Sequence, residues 1–594
     1  MFLRSTTRKK NGKLHRYWSI VENKRCAGGK VVQRPVLYLG EINDQQEESW
    51  QKTIDIFEHG QAVRRTVALF PAERSLPSDS DHVVGLKLSE MELRRPRQWG
   101  ACWLFCQIYC ELGLDQFWKA RLPASRKGTR WDLVFQTLCA YRLIDPGSEW
   151  RLHRQWFDRS AMGDLLGEDF SLAAIHKLYE CHDFLLKHQS ALFDHLTQRW
   201  KDLFSAKFEV LLYDLTSTYF ESDPPFPEGD KRKHGYSRDK RPDCVQVIIA
   251  LIVTPEGFPL AYEIMRGNTS DKTTLKGFLE KIEQQYGKAQ RIWVMDRGIP
   301  TEEVLAEMRA SDPPVLYLVG TPKGRLTKLQ KKLAELPWEQ AREGVDVKLL
   351  DESGELYVLA RSHDRVNKER SMRRRQLKGL WKRLKEIAAM KIDRDALLLK
   401  LGGARQEFPS AWRLAEIQLP SADQPFAFKL RLDKLRVAWR REGRYLLRTN
   451  MPKEEPAKLW EYYLQLVQIE SVFKQLKGDL AIRPIYHKNE DRIEAHIFIS
   501  FLAYCVQATL SRRLRDLAPG LTARAVLEKM AAMQMIDVHL PTTDGRTVIL
   551  TRYTQPEVDQ KLLLHKLKLT LPDQPPPKIT ASQLPKSDGA VVKT

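Results

Sequence analysis

The chain has 594 residues, 42% of them hydrophobic, which is enough to bury the cores of several compact domains. Lys and Arg number 97 against 76 Asp and Glu, so the formal net charge is +21. This composition excludes a wholly disordered chain. The charge favours a polyanionic partner, and nucleic acid is the first candidate because phosphate contacts supply most non-specific affinity. A basic protein without such a partner is the alternative.

The first residues, MFLRSTTRKKNGKLHRYW, lack the apolar stretch of a secretory signal. The longest candidate membrane segment, residues 497–506, is far shorter than the ~20 residues that a spanning helix needs. We therefore expect a cytoplasmic protein that contacts no membrane and that associates with the nucleoid if its partner is DNA.

The N-terminal third of the chain divides by pattern into two parts. Residues 1–95 are mixed and polar, with a short strand predicted at 31–39 and a linker at 76–82. In residues 96–204, apolar side chains recur at spacings of three and four, which predicts a mainly helical domain.

Residues 205–324 have the pattern of an α/β domain. Buried strands alternate with amphipathic helices in the order β-β-β-α-β-α-β, which indicates a mixed sheet. The predicted strands are 208–212, 245–253, 259–265, 291–295 and 315–319, and the predicted helices are 272–286 and 301–309. Asp214 and Asp296 fall at or just beyond strand ends, the edge where open α/β sheets build their sites.

Residues 325–445 interrupt this domain and are strongly basic. Between 365 and 385 there are ten Lys or Arg, including Arg373, Arg374 and Arg375, against one acid, Glu369. Such a run is often only a solvated helix face, but a ratio of ten basic residues to one acidic residue favours a nucleic-acid contact. Short strands are predicted at 426–431, 435–439 and 445–449.

Two helices are predicted beyond Pro456. The first carries an apolar stripe, formed by Leu466, Ile469, Phe473, Leu476 and Leu480. Tyr463, Glu470 and Lys477 are seven apart, so on one helix they would point to one side, beside the stripe. By itself this pattern favours a solvated helix face with a Glu470–Lys474 surface pair. The second helix is predicted at 490–514, and the Pro-rich tail beyond 570 should be disordered.

Three of these carboxylates suit metal-dependent phosphodiester chemistry. Cleavage needs an activated water or hydroxyl and a stabilised leaving oxygen, and two divalent metal ions can provide both. Mg²⁺ prefers oxygen ligands, so Asp214 and Asp296 from the sheet and Glu470 from a helix beside it would suffice as a cage.

Three segments resemble the motifs of bacterial insertion-sequence DDE transposases of the IS-four superfamily. The segment YYLQLVQIESVFKQLK is similar to their signature helix, with Tyr463, Glu470 and Lys477 at the required spacing and Leu466 where the signature has Arg. The segments VLLYDLTSTYFE and RIWVMDRGIPTEEVL resemble the motifs around the first and second catalytic Asp, here Asp214 and Asp296.

The resemblance implies a ribonuclease-H-like core with Asp214, Asp296 and Glu470 as the catalytic, metal-binding triad, using Mg²⁺ or Mn²⁺. It implies terminal inverted repeats and target DNA as double-stranded partners, a homodimer in the DNA complex, and cut-and-paste strand cleavage and transfer. The expected DNA contacts are Tyr463, Lys474, Lys477, Arg297, Arg373, Arg374 and Arg375. In place of the missing signature Arg, Gln468, Lys474 or a residue of the insertion is expected to act.

The resemblance also predicts how the chain is organised. Residues 205–324 and 446–515 would form the two halves of the catalytic core, separated by a β-rich and helical insertion at 325–445. Residues 1–95 would bind DNA ends, 96–204 would form the helical domain, and 516–594 would form a C-terminal region with a disordered tail.

Two other functions remain open from the sequence. One is a ribonuclease-H-like DNA nuclease without strand transfer, and the other is an inactive derivative that only binds DNA. His234, His487 and His496 are further candidates for proton transfer or phosphate binding, although metal-activated water needs no His base.

Overall fold

The protein is described here from a computed structural model. The described residues are 1–10, 13–25, 31–59, 85–126, 128–221, 226–239, 241–270, 274–287, 291–296, 299–321, 329, 332–333, 335–352, 354–390, 392–420, 426–451 and 453–580. The predicted linker at 76–82 and the last fourteen residues of the predicted disordered tail, 581–594, lie outside them.

Strands occur along the whole described chain. They are β1 (Phe2–Lys10), β2 (Lys13–Arg25), β3 (Val31–Gly40), β4 (Glu92–Gln98), β5 (Val210–Phe220), β6 (Val245–Val253), β7 (Pro259–Arg266), β8 (Ile292–Met295), β9 (Leu316–Gly320), β10 (Glu339–Arg342), β11 (Val345–Glu352), β12 (Glu355–Ser362), β13 (Ala415–Gln418), β14 (Ala427–Leu430), β15 (Arg444–Thr449), β16 (Gln534–Pro541), β17 (Thr547–Tyr553) and β18 (Lys578–Thr580).

The α-helices lie mainly between the strands of the sheets. They are α1 (Asp44–His59), α2 (Gly100–Glu111), α3 (Leu114–Arg121), α4 (Trp131–Ile144), α5 (Glu149–Arg151), α6 (Phe157–Arg159), α7 (Met162–Leu166), α8 (Ile175–His182), α9 (Gln189–Phe204), α10 (Leu275–Tyr286), α11 (Glu302–Ala310), α12 (His363–Ala388), α13 (Arg394–Glu407), α14 (Pro409–Trp412), α15 (Leu432–Arg441), α16 (Pro456–Leu464), α17 (Leu466–Lys477), α18 (Glu490–Leu517), α19 (Ala523–Ala531) and α20 (Val558–Lys566).

A nine-stranded mixed sheet lies at the centre, in the order β10-β11-β12-β15-β9-β8-β5-β6-β7. Strands β5, β8 and β9 run parallel, and the remaining pairs are antiparallel. The predicted order β-β-β-α-β-α-β is confirmed by β5 to β9 with α10 and α11. The class is therefore a mixed α/β protein with many helices.

Helices cover both faces of this sheet. On one face, Leu211 and Tyr213 of β5 pack with Phe278 of α10 and Met308 of α11. On the other face, Leu212 belongs to the main hydrophobic core together with side chains of α17 and α18. Every residue of β6 is buried, as expected for a strand covered on both faces.

The predicted helical region is confirmed by α2 to α9, which share a core with the long helix α18. By length and apolar composition α18 could cross a membrane, and its apolar stretch is longer than the sequence suggested. However, 94% of its most apolar window is buried inside the protein. It is therefore the central helix of the core.

The insertion does not form a separate β-domain. Its strands β10, β11 and β12 extend the central sheet, and β12 joins it through β15. Helices α12, α13 and α14 enclose a core of their own with the β13–β14 hairpin. The strand predicted at 435–439 is wrong: these residues belong to α15, where Leu435 is buried and Trp439 is exposed.

Both ends of the chain contribute small sheets. Strands β1, β2 and β3 form an antiparallel sheet, which confirms the strand predicted at 31–39. Strand β4 joins β16, β17 and β18 in a second sheet. The prediction of a disordered tail from 570 is wrong as far as Thr580, because β18 pairs with β17.

Candidate active site

The register of the central sheet brings Asp214 and Asp296 together. Strands β5 and β8 pair in parallel from Val210 with Ile292 to Tyr213 with Met295, so each Asp is the next residue along its strand direction. Leu212 and Val294 face the main core. Asp214 follows Leu212 by two residues and Asp296 follows Val294 by two residues, and side chains two apart along a strand point to the same face. Both carboxylates therefore belong to the face covered by α17.

The sequence predicted Asp214 at or just beyond the end of a strand, but in the structure it lies inside β5. Strand β5 continues to Phe220 because it remains paired with β6 along its whole length. Only its pairing with β8 stops at Tyr213. The sheet is therefore open at this point because β8 ends there, and Asp214 lies beside the end of β8.

The helix that carries Glu470 differs from the prediction at its start. Helix α16 ends at Leu464 and α17 begins at Leu466, so Tyr463 and Glu470 lie on consecutive helices rather than on one. The predicted apolar stripe is confirmed, since Leu466, Ile469, Phe473, Leu476 and Leu480 are all buried. Glu470 lies on the exposed side of α17, away from that stripe.

The three carboxylates line one cleft of about 430 Å³, here called the carboxylate cleft. Tyr463, Leu466 and Val467 line it as well, so Leu466 is both buried and next to the site. The further lining residues are Gly320, Thr321, Arg365, Glu369, Arg441, Arg444, Tyr445, Leu446, Trp460, Leu464 and Ile469. The structure therefore brings together Asp214, Asp296, Glu470 and Tyr463, which the sequence had singled out.

Asp214 is the carboxylate that this environment perturbs most clearly. Burial raises the pKa of Asp214 to about 7, and the negative charges of Asp296 and Glu470 act in the same direction. The N–H of Leu215, which donates to Oδ1 of Asp214 at 2.8 Å, and the nearby Arg238 act in the opposite direction. A group with such a pKa is protonated in a large fraction of molecules at neutral pH, and a bound cation favours its ionised form.

Three arginines from the insertion and its edge surround the same cleft. Arg365 opens α12, Arg441 ends α15 and Arg444 opens β15. The Arg365 Nε donates to Glu369 Oε1 at 2.9 Å, and Glu369 Oε2 accepts the N–H of Gly443 at 2.9 Å. Arg441 and Arg444 were not among the site residues predicted from the sequence, because only the fold brings them to the carboxylates.

Lys477 and Lys474 do not line the carboxylate cleft. Lys477 Nζ lies 2.9 Å from Asp239 Oδ1, and the other Asp239 oxygen pairs with Arg483. Burial lowers the pKa of Lys477, and the carboxylate of Asp239 partly offsets this. Lys477 is therefore mostly buried and paired within the protein. Lys474 is exposed and lines a separate groove with Arg515 and Arg524.

The basic run of the insertion is confirmed as a helix, α12, but its arginines are not equivalent. Arg373 pairs with Glu442 and lies 5.9 Å from the centre of the Trp439 ring, so it is engaged inside the protein. Arg374 and Arg375 are exposed. Arg297, the remaining predicted DNA contact, lies outside the described residues.

The histidines singled out from the sequence do not line the carboxylate cleft. His487, in the segment between α17 and α18, and His496, in α18, are buried beside Glu149. His234 is exposed in the segment that precedes β6. Proton transfer by these side chains at the carboxylates has no support in this arrangement.

The residues of the cleft fit a divalent cation. Three carboxylates converge on a partly buried space, and their mutual repulsion contributes to the raised pKa of Asp214. A bound cation relieves such repulsion, and oxygen donors of this type are those that Mg²⁺ and Mn²⁺ prefer.

Comparison with known proteins gives two family matches. The model of the transposase DDE domain matches residues 206–506, and that of the N-terminal domain of IS1634 family transposases matches residues 3–61. No curated protein matches the chain. A solved structure, the cryo-EM synaptic complex of piggyBac transposase with hairpin DNA, is 10% identical, with 75% of this chain and 87% of that chain covered and a TM-score of 0.29. A TM-score this low carries no conclusion about the fold.

Proposed function

The chain belongs to the insertion-sequence transposases with a DDE domain, and on this premise we propose that Asp214, Asp296 and Glu470 are its catalytic triad. The protein would bind the terminal inverted repeats of its element, cleave the DNA strands there and join the freed 3′-OH ends to target DNA. The observation that carries this proposal is the convergence of the three carboxylates on one cleft from β5, β8 and α17.

The proposed cofactor is Mg²⁺, for which Mn²⁺ can substitute, held by the same three carboxylates. When bound, it supplies an activated hydroxyl and stabilises the leaving oxygen of the phosphodiester. The cation would favour the ionised form of Asp214, whose pKa burial and its acidic neighbours raise to about 7. A ribonuclease-H-like arrangement of β5 to β9 is part of the proposal.

The arginines of the cleft are proposed to hold the scissile region of the DNA. Arg365, Arg441 and Arg444 line the same cleft as the carboxylates, where a phosphate would otherwise meet only negative charge. Leu466 occupies the place of the signature Arg, and these three arginines of the insertion and its edge would supply the missing contact. Tyr463 lines the cleft beside them.

Other DNA contacts are proposed on surfaces outside the cleft. They are the exposed Arg374 and Arg375 of α12, Lys474 on α17, and the N-terminal region, whose match is to a transposase N-terminal domain. Lys477 would reach a phosphate only by exchanging its partner Asp239. We propose a homodimer on the DNA and a cytoplasmic, nucleoid-associated location.

The joining step separates a transposase from a nuclease. A labelled duplex carrying the element end is incubated with the wild-type chain, Mg²⁺ and a supercoiled plasmid, and joined products are counted against free cleaved ends. Joined products at the 3′ end support the proposal. Cleaved ends without joining would indicate the nuclease, and binding without cleavage would indicate an inactive derivative.

A further inference from the structure

A second group of side chains that could bind a metal ion is buried inside the protein, outside the carboxylate cleft. It consists of Glu149 at the start of α5, His182 at the end of α8, His487 in the segment between α17 and α18, and His496 within α18. All four are buried, and one potential ligand atom from each lies within 4.8 Å of the others. We call this group the histidine cluster.

The tautomer of His182 leaves a lone pair directed into the cluster. Its Nδ1 is 2.8 Å from the carbonyl oxygen of Leu178, to which it donates, so in the neutral ring the lone pair is on Nε2. Among the described residues, this buried Nε2 has no hydrogen-bond partner. A histidine held by a backbone carbonyl on one nitrogen is the usual orientation of a metal ligand.

Glu149 is the common neighbour of the three imidazoles, at distances that a coordinated ion could also occupy. Its Oε1 lies 3.3 Å from His487 Nε2, 3.5 Å from His182 Nε2 and 3.6 Å from His496 Nδ1. The His487 contact is a long hydrogen bond, and the other two contacts are longer than the usual N–H···O distance of about 2.7–3.2 Å. For metal bonds of about 2.0–2.2 Å, the edge of a coordination tetrahedron is about 3.3–3.6 Å.

We propose that Glu149, His182, His487 and His496 bind one divalent transition-metal ion of the Zn²⁺ class. Three imidazoles and one carboxylate select such an ion over Mg²⁺, which prefers oxygen donors only. Four protein ligands close the coordination sphere, which is typical of a structural site. The chain between α5 and α6 forms a π-helical turn, Leu152–Trp156, a feature frequent at functional sites.

Arg142 is the group that opposes a cation here. Its guanidinium is buried, donates to the carbonyl oxygen of Ala481 at 3.2 Å and lies 3.4 Å from His496 Nδ1. Without an ion, Arg142 and Glu149 balance one another in charge. With an ion, two cationic centres lie close together, so affinity is lower than that of a comparable site without Arg142.

An ion bound to the histidine cluster would link the helical region to the proposed catalytic core. Glu149 and His182 come from the region of residues 96–204, whereas His487 and His496 follow α17, which carries Glu470. A bound ion therefore constrains the chain directly after the catalytic helix. Because unfolding separates the ligands, the ion stabilises the folded state.

The test is a Co²⁺ titration of the full-length, metal-free chain. It is carried out with Asp214→Asn and Asp296→Asn present, so that the proposed catalytic site contributes no binding. We expect one equivalent of Co²⁺ with the intense visible absorption of tetrahedral coordination, displaced by Zn²⁺. The additional change His182→Asn should weaken binding at least about tenfold. The matched control is His176→Asn, an exposed histidine on the same helix, which should bind as the parent does.

Thermal unfolding of the parent chain provides a second measurement that needs no ligand variant. The midpoint temperature of unfolding should rise when stoichiometric Zn²⁺ is added and fall again with a chelator. This measurement does not require that His182→Asn folds. No tetrahedral Co²⁺ spectrum in the parent chain, or equal affinity in His182→Asn and His176→Asn, would overturn the site. Neither result depends on the DNA chemistry proposed above.

Discussion

Asp214 and Asp296 lie side by side, each one residue beyond the last parallel pair of β5 and β8, which is Tyr213 with Met295. Their separation in sequence, 296 − 214 = 82, equals the offset of the strand register, 292 − 210 = 82. The spacing between the two acids is thus set by the pairing of their strands. A shift of either strand by one residue would turn its carboxylate to the opposite face of the sheet.

The raised pKa of Asp214 predicts a pH-dependent gain in stability from Asp214→Asn. Since the folded pKa of about 7 is above the unfolded value of 3.8, the unfolding free energy of metal-free wild type falls between about pH 4 and pH 7. The asparagine variant escapes this loss, so its advantage should grow across that interval to roughly a few kcal/mol. Chemical denaturation at several pH values measures the difference.

Magnesium provides the control for this prediction. Bound Mg²⁺ favours the ionised carboxylate, so it should stabilise wild type at pH 8 and act much less on Asp214→Asn. The variant Glu461→Gln, an exposed acid on α16, should show neither effect. An advantage of Asp214→Asn that does not change with pH would contradict the assigned environment.

Leu466→Arg should destabilise the fold strongly, because Leu466 is only 9% exposed and packs in the main core. An arginine there either buries its charge or displaces its neighbours, and the unfolding free energy should fall by several kcal/mol. The neighbour Val467 is 60% exposed and lines the same cleft, so Val467→Arg should be nearly neutral. A stable Leu466→Arg protein that binds DNA ends more tightly would show that this position still accepts the signature arginine.

The pair between Lys477 and Asp239 should be measurable as a coupling energy. Their side chains are 17% and 9% exposed and 2.9 Å apart, so Lys477→Ala leaves Asp239 with Arg483 alone. In a double-mutant cycle with Asp239→Asn, we expect a coupling of about 0.5–3 kcal/mol. Additive effects of the two changes on the free energy of unfolding would mean that the contact contributes nothing to stability.

Neutralising the exposed arginines of α12 should lower the salt dependence of DNA binding. If each contacts one phosphate, Arg374→Gln and Arg375→Gln should each reduce the slope of log K against log salt by about 0.9. Arg373→Gln should change it little, because Arg373 is paired with Glu442. Equal slopes for all variants and wild type would indicate that this face of α12 is only a solvated surface and does not contact DNA.

The sequence predicted the central part of the fold because its patterns are local. Strand β6 is apolar at every position except Gln246, and the order of β5 to β9 with their two helices follows from this strand and its neighbours. The prediction of a strand at residues 435–439 was wrong because the apolar residues Leu435, Val437 and Trp439 alternate with other residues, as they do in a strand. In the fold only Leu435 is buried, so the alternation reflects no sheet face.

The candidate site was predictable where its residues lie in motifs, and only there. Asp214, Asp296, Glu470 and Tyr463 were singled out and line one cleft. Arg441 and Arg444 could not be found, since the insertion strands return them to the site through long-range pairing with the central sheet. The same is true of Glu149, whose partner His487 is 338 residues away in sequence.

The central claim is tested most directly by the rate of Mg²⁺-dependent cleavage of an end-containing duplex by Asp214→Asn, Asp296→Asn and Glu470→Gln. Glu461→Gln, an exposed acid one helix earlier, is the matched control for Glu470→Gln. We expect all four proteins to bind the duplex as wild type does. Cleavage should fall by several orders of magnitude in the three cleft variants and remain at the wild-type rate in the control. Wild-type cleavage by any of the three cleft variants would contradict the assignment of that carboxylate to the catalytic triad.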